Sequence, residues 1–145
     1  MSAAETEATA AEPPIRVLIV DDTSVVRDML RLSLDLDPDF VVVGEAADGE
    51  QAITALANLD PDVVVLDWQM PVLDGPGALP ALRRLRPHAG IVMFSSRVAA
   101  DAEEIALAAG ADSYLEKTAD LSSLLAHFRE VGGAARRRRQ VPGNA

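Results

Sequence analysis

The stretch "PDVVVLDWQMPVLDG", residues 61–75, decides the fold. Its first part, 62–67, is a run of Val and Leu bounded by two aspartates. The run is short for a helix, its β-branched side chains favour extended backbone, and its lack of alternation means burial on both faces. It reads as a strand that stops at Asp67. The loop beyond it carries Pro71, Asp74 and Gly75, and a helix is expected over 75–86.

The same kind of strand recurs along the chain. Apolar runs stand at 15–20 ("IRVLIV"), 40–44 ("FVVVG"), 90–95 ("GIVMFS") and 112–116 ("DSYLE"). Amphipathic stretches separate them: about 23–36, the segment 48–62 whose helix stops before Pro61, and 98–109 with Gly110 at its end. In the last stretch Leu121, Leu124, Leu125, Phe128 and Val131 share one helical face. The order is therefore βαβαβαβαβα. Strands buried on both faces and alternating with helices predict an α/β three-layer sandwich, a flavodoxin-like (βα)5 fold with a parallel sheet in the order 2-1-3-4-5.

Bulk composition narrows the classes. The chain has 145 residues, and 49% of them are apolar, enough for one folded domain. It contains no Cys, which excludes a disulfide framework, thiol catalysis and Cys-ligated zinc. A net charge of −10 argues against nucleic acid as partner of the folded part. No apolar run reaches membrane-spanning length, and a cytoplasmic setting is expected. Residues 1–14 are expected to be a disordered N-terminal tail without the marks of a signal peptide, 15–131 the folded domain, and 132–145, with Arg136–Arg139, a disordered basic tail.

Ligands of such sheets bind beyond the carboxyl ends of the strands, where the strand order reverses. Read at those ends, the sequence gives Asp21 and Asp22, Gly44 and Glu45, Asp67, Ser95 and Ser96, and Lys117. In the 2-1-3-4-5 order Asp21, Asp22 and Asp67 meet in one small volume. Clustered carboxylates repel unless a cation joins them, and Mg2+ fits oxygen donors of this kind. Asp22 and Asp67 are expected as direct ligands and Asp21 as the holder of a metal-bound water. Lys117 is the chain's one lysine against twelve arginines. A mobile ammonium beside Mg2+ and a serine hydroxyl suits an aspartate that attacks a phosphoryl group and keeps it.

With these residues in place the chain resembles a response-regulator receiver domain of two-component signalling, over about Arg16 to Val131. The stretches that carry the resemblance are "VLIVDDTSVVRDML", "VVGEAADGEQAI", "PDVVVLDWQMPVLDG", "IVMFSS" and "GADSYLEK". The resemblance implies phosphorylation of Asp67. It implies Mg2+ held by Asp21, Asp22, Asp67 and the carbonyl of Gln69, phosphoryl contacts from Ser95 and Lys117, and a switch shared by Ser95 and Tyr114. The implied donor is a phosphohistidine on a sensor histidine kinase or phosphotransfer protein. The implied target binds the face of helix four, strand five and helix five, and a phosphorylation-dependent homodimer belongs to the same behaviour. Thr118 departs from the family's usual proline after the lysine, so a cis bond there is not expected.

The expected role is a stand-alone, non-enzymatic switch, with a phosphoryl shuttle and a phosphorylation-independent docking module as its rivals. A haloacid-dehalogenase type of phosphatase would need Asp-x-Asp after the first strand, and Asp21-Asp22-Thr23 is not that. Gln69 and Arg97 are expected to flank the pocket. His88 and His127 read as surface residues, and the arginine run as a solvated tail, with attraction to an acidic surface, nucleic acid or lipid head groups a minority reading and the remnant of a lost linker its equal.

Overall fold

The computed structural model describes residues 12–96 and 100–140. Five parallel strands, β1 (Ile15–Val20), β2 (Phe40–Ala46), β3 (Val63–Asp67), β4 (Gly90–Ser95) and β5 (Ser113–Glu116), lie in the order β2-β1-β3-β4-β5. The helices are α1 (Ser24–Asp35), α2 (Gly49–Asn58), α3 (Gly75–Leu85), α4 (Ala102–Ala109) and α5 (Leu121–Gln140). The expected fold is observed.

Period-two alternation along each central strand builds both apolar layers. Val17, Ile19, Val63, Val65, Val92 and Phe94 pack with Leu30 and Leu34 of α1 and with Leu124 and Phe128 of α5. Leu18, Val20, Val64, Leu66, Ile91 and Met93 pack with α2, α3 and α4 through Ala52, Leu56, Leu79, Leu82 and Ala106. Each buried aliphatic side chain contributes roughly 1.5–3 kcal/mol of transfer free energy. The strands run unpunctuated by polar residues because both faces are covered.

Helix ends follow local chemistry. Asp48 caps α2 by accepting from the Gln51 amide at 2.8 Å, and Gln51 reaches back to the Ala47 amide at 2.9 Å. Asp74 caps α3 through Gly77 at 2.8 Å. Gly110 ends α4 in the left-handed region at φ 117°.

Three boundaries differ from the sequence expectation by two residues or more. Strand β2 continues to Ala46, because the register slips between Val17 and Leu18 so that Val43 is passed over and Glu45 and Ala46 still pair with β1. Helix α4 starts at Ala102; the expected start at 98 lies outside the described residues. Helix α2 ends at Asn58, before Pro61 as expected. The largest difference is at the C-terminus. The chain was expected to become a disordered basic tail at Gly132, yet α5 continues to Gln140. The packing explains it: Gly132 and Ala135 are buried, and a Cβ on Gly132 would stand 2.8 Å from Ile15 Cγ2. The helix needs small residues where it crosses β1. Residues 141–145 of that expected tail, and 1–11 of the N-terminal one, lie outside the described residues.

Val72, in the loop between β3 and α3, has φ 71° and is 72% exposed. A β-branched residue is strained there. Val72→Gly is expected to raise stability by about 1 kcal/mol, read as an upward shift of the urea midpoint with unchanged slope. An unchanged or lowered midpoint would show that the loop is not strained at this residue.

Candidate functional site

The crevice forms where the order reverses between β1 and β3. Asp21 follows β1 directly and is 1% exposed. Its amide donates to the Ala46 carbonyl at 3.0 Å, and its Oδ1 accepts from the Thr23 amide at 2.9 Å. Asp22 stands exposed at the rim, with the Thr23 hydroxyl 3.4 Å from its Oδ1. Asp67, 6% exposed, is the last residue of β3. Asp21, Asp22 and Asp67 each present one carboxylate oxygen, and these lie within 4.8 Å of one another.

Lys117 arrives from β5. Its amide donates to the Ser95 carbonyl at 2.8 Å, one rung beyond the last β4–β5 pair, Ser95 with Glu116. That rung aims the side chain back over the strand ends. The ammonium lies 2.8 Å from Asp21 Oδ2, 3.1 Å from Asp67 Oδ1 and 5.8 Å from the Phe94 ring centre. Ser95, buried, ends β4 beside this group. Tyr114 pairs in register with Met93 and packs half-buried on the layer beneath α2, α3 and α4.

The electrostatics follow from the burial. The Asp67 carboxyl is pushed up to about 6, first by burial and then by the Asp21 charge, while Lys117 pulls it partly back. Burial works against the Lys117 ammonium, but its bonds to Asp21 and Asp67 outweigh this and its pKa lies above the usual lysine value. Three carboxylates face one ammonium. Asp21 Oδ2 is buried with that ion pair and no further hydrogen bond. An all-oxygen donor set with surplus negative charge and an unsaturated buried oxygen fits a hard divalent cation such as Mg2+.

The loop behind Asp67 is folded tightly. The Gly75 amide donates to the Trp68 carbonyl at 2.9 Å, and a Cβ on Gly75 would stand 2.3 Å from the Asp67 carbonyl oxygen. Only glycine allows that approach. Trp68 is 7% exposed and belongs to the core layer. Gln69 is exposed in the same loop. No described peptide bond is cis, so Lys117–Thr118 is trans as expected.

Asp21, Asp22, Asp67 and Lys117 are thus brought together, with Ser95 at the adjoining strand end. Arg97 lies outside the described residues. His88 and His127 stand away from the crevice, each half-buried, with His127 Nε2 2.7 Å from the Ser113 hydroxyl. Arg27 was not foreseen. From α1 its guanidinium donates to the Asp21 carbonyl oxygen, and its Nε lies 3.3 Å from Glu45. Its only sequence signal is a place six residues after Asp21, on the helix that the acidic turn leads into.

Comparison with known proteins agrees with this geometry. The family model "Response regulator receiver domain" matches residues 17–129. The chain is 42% identical over 136 residues, 86% of its length, to the "Protein-glutamate methylesterase/protein-glutamine glutaminase of group 2 operon" of Rhodospirillum centenum. That alignment covers 34% of the relative, and the chain spans about a third of the curated relatives it matches. Among solved structures it is similar to the response regulator domain of Thermotoga maritima CheB, at 33% identity and TM-score 0.76, covering 83% of this chain and 97% of that one. It is also similar to a chain in the CheX-CheY-BeF3-Mg+2 complex of Borrelia burgdorferi, at 29% identity and TM-score 0.75, covering 81% and 89%. Among the described residues no helix is long and apolar enough to cross a membrane. This chain belongs to the response regulator receiver domain family.

Proposed function

We propose that the chain is a phosphoacceptor switch in which Asp67 is the phosphorylated residue. The observation that carries this reading is the Lys117 ammonium held 2.8 Å from Asp21 and 3.1 Å from Asp67, in a crevice with surplus carboxylate charge. With its pKa near 6, Asp67 is ionised at neutral pH and nucleophilic. Its carboxylate oxygen attacks the phosphorus of a phosphohistidine in line. The P–N bond breaks, its electron pair stays on the imidazole, and the product is an aspartyl phosphate. Asp21, Asp22, Asp67 and the Gln69 carbonyl would hold Mg2+, which supplies positive charge to the phosphoryl oxygens. Lys117 moves from Asp67 to one phosphoryl oxygen, and Ser95 donates a hydrogen bond to another. Tyr114 follows Ser95, so the face of α4, β5 and α5 changes its affinity for a target protein or for a second copy of the chain.

The donor needs a surface beside the mouth. Val25, Met29, Leu32 and Leu36 lie at i, i+4, i+7 and i+11 from the first turn of α1 and are 46–77% exposed. Scattered exposed apolar residues need no explanation, but a continuous stripe running from the rim does. It supports docking of a helical phosphohistidine donor.

A second reading is favoured by the methylesterase relatives: the receiver unit regulates an enzyme joined to it in a longer polypeptide. The mass of the native gene product decides between this reading and a stand-alone regulator or phosphoryl shuttle.

Three outcomes are expected. Millimolar Mg2+ alters Trp68 fluorescence, and acetyl phosphate with Mg2+ alters it further and adds one phosphoryl mass; Asp67→Asn loses the second change and the mass gain. A wild-type chain that gains no mass sinks the switch. Leu32→Glu slows transfer from a phosphohistidine donor about tenfold or more and leaves acetyl phosphate labelling unchanged; equal slowing of both would remove α1 from docking. The third concerns stability. The Asp67 pKa is raised, so the folded state binds more protons than the unfolded one between about pH 4 and 6, and stability from this group falls as pH rises through that window. Asp67→Asn therefore exceeds the wild type in unfolding free energy by about 2 kcal/mol at pH 7 without metal, and the gap shrinks toward pH 4. A gap independent of pH would refute that account.

A further inference from the structure

The four arginines at the end of α5 do not act as one patch. Arg139 donates to both Asp60 carboxylate oxygens at 2.7 and 2.8 Å and to the Pro61 carbonyl at 3.0 Å, and its Nε lies 3.5 Å from Asp62. Arg136 donates to the Pro14 carbonyl at 2.6 Å and approaches Asp62 Oδ2 at 3.3 Å and Glu12 at 3.4 Å. Arg138 donates to the His88 carbonyl at 3.0 Å and lies 3.7 Å from Asp112. Three arginines thus hold four separate segments: the entry to β1, the α2–β3 loop, the turn before β4 and the turn before β5. Asp62 is 4% exposed and also accepts from the Arg16 amide at 3.0 Å, so it is a fixed anchor. Arg137 is exposed and, among the described residues, makes none of these contacts.

The contacts do more than decorate a stable helix. The segment Gly132-Gly133 followed by a run of like charges opposes helix formation twice, through glycine's backbone freedom and through repulsion between i and i+3 neighbours. The acidic residues opposite remove the repulsion. The guanidinium beside Asp60 holds that carboxyl below its usual range, as expected of a tight pair. The fork of an arginine can meet a carboxylate and a backbone carbonyl together, which a lysine cannot do as well.

We infer that Arg136, Arg138 and Arg139 form an intramolecular clasp that fastens the C-terminal end of α5 across the bottom of the sheet, leaving the run unavailable as a polyanion-binding tail. The clasp lies at the opposite end of the sheet from Asp67. Rearrangement of α5 during output is thereby confined to its N-terminal half, around Leu121–Phe128.

Hydrogen exchange on the full chain tests this. In dilute buffer the amides of 134–140 are expected to be protected, and in 1 M NaCl to exchange about tenfold faster, as loss of a few screened ion pairs requires. Arg136→Gln/Arg139→Gln gives the same acceleration without salt, while Arg137→Gln does not. Because both side chains are partly exposed and lie outside the two apolar layers, the double variant is expected to remain folded, and β3 amides serve as the internal control. Heparin binding of the wild type is expected to be weak, and stronger in Asp60→Asn. Exchange of 134–140 at unstructured rates in dilute wild type, equal effects of Arg137→Gln and the double variant, or equally strong heparin binding by wild type and Asp60→Asn would each overturn the clasp.

Discussion

The structure depends on a repulsion that is kept. Asp21 and Asp67 are almost fully buried at adjacent strand ends, Asp22 adds a third carboxylate, and one ammonium faces them. In a core built for stability alone these positions would be apolar, because an uncompensated buried charge costs several kcal/mol. The fold tolerates them because the surrounding layers are over-determined. Every central strand contributes side chains to both apolar layers, and Asp21 is held at its backbone by Ala46 and Arg27 and at its carboxylate by the Thr23 amide. Residual strain at a site is a common mark of chemistry. Here it leaves a place for positive charge that the protein only partly fills.

The sheet was legible because burial on both faces erases alternation, and runs such as Val63–Leu66 have no other reading in a chain of this length. The site was legible for a geometric reason. In a parallel sheet all carboxyl ends lie on one edge, so Asp21, Asp67, Ser95 and Lys117 could be collected by counting to the last apolar residue of each strand. No pairwise contact had to be guessed.

What escaped the reading depends on contacts between residues distant in sequence. Gly132-Gly133 and the arginine run look like a helix terminus followed by a solvated tail, and local propensity supports that view. Contacts such as those with Ile15, Asp60 and Asp62, some 70 to 120 positions earlier, make the helix continue. The slip that passes over Val43 and lets β2 reach Ala46 is equally silent, because it belongs to the pairing of two strands and to neither alone. Arg27 looked like any polar residue on an amphipathic helix. Its role appears only once the turn after β1 is folded against it. Val72 gave no sign of its positive φ, since valine is among the residues least suited to one.

The division of labour between the basic residues follows from the same geometry. Apart from Arg27 at the acidic turn, the arginines in these ion pairs act away from the crevice: Arg83 joins Asp112 to the Gly110 and Ala89 carbonyls, Arg129 spans Asp37 and Asp39 above the Phe40 ring, and Arg139 grips the Asp60 corner. Each uses the planar fork to fix several acceptors of known position, and each gains from being immobile. The crevice requires the reverse. Two carboxylates from different strands must be neutralised in the resting protein at 2.8 and 3.1 Å, by a group with a side-chain exposure of 20% that can still retreat when other charges enter. A point charge on a flexible stem meets both demands. A guanidinium would satisfy the first by forming bonds strong enough to defeat the second. The single lysine is therefore a consequence of needing one cation that is held but not locked.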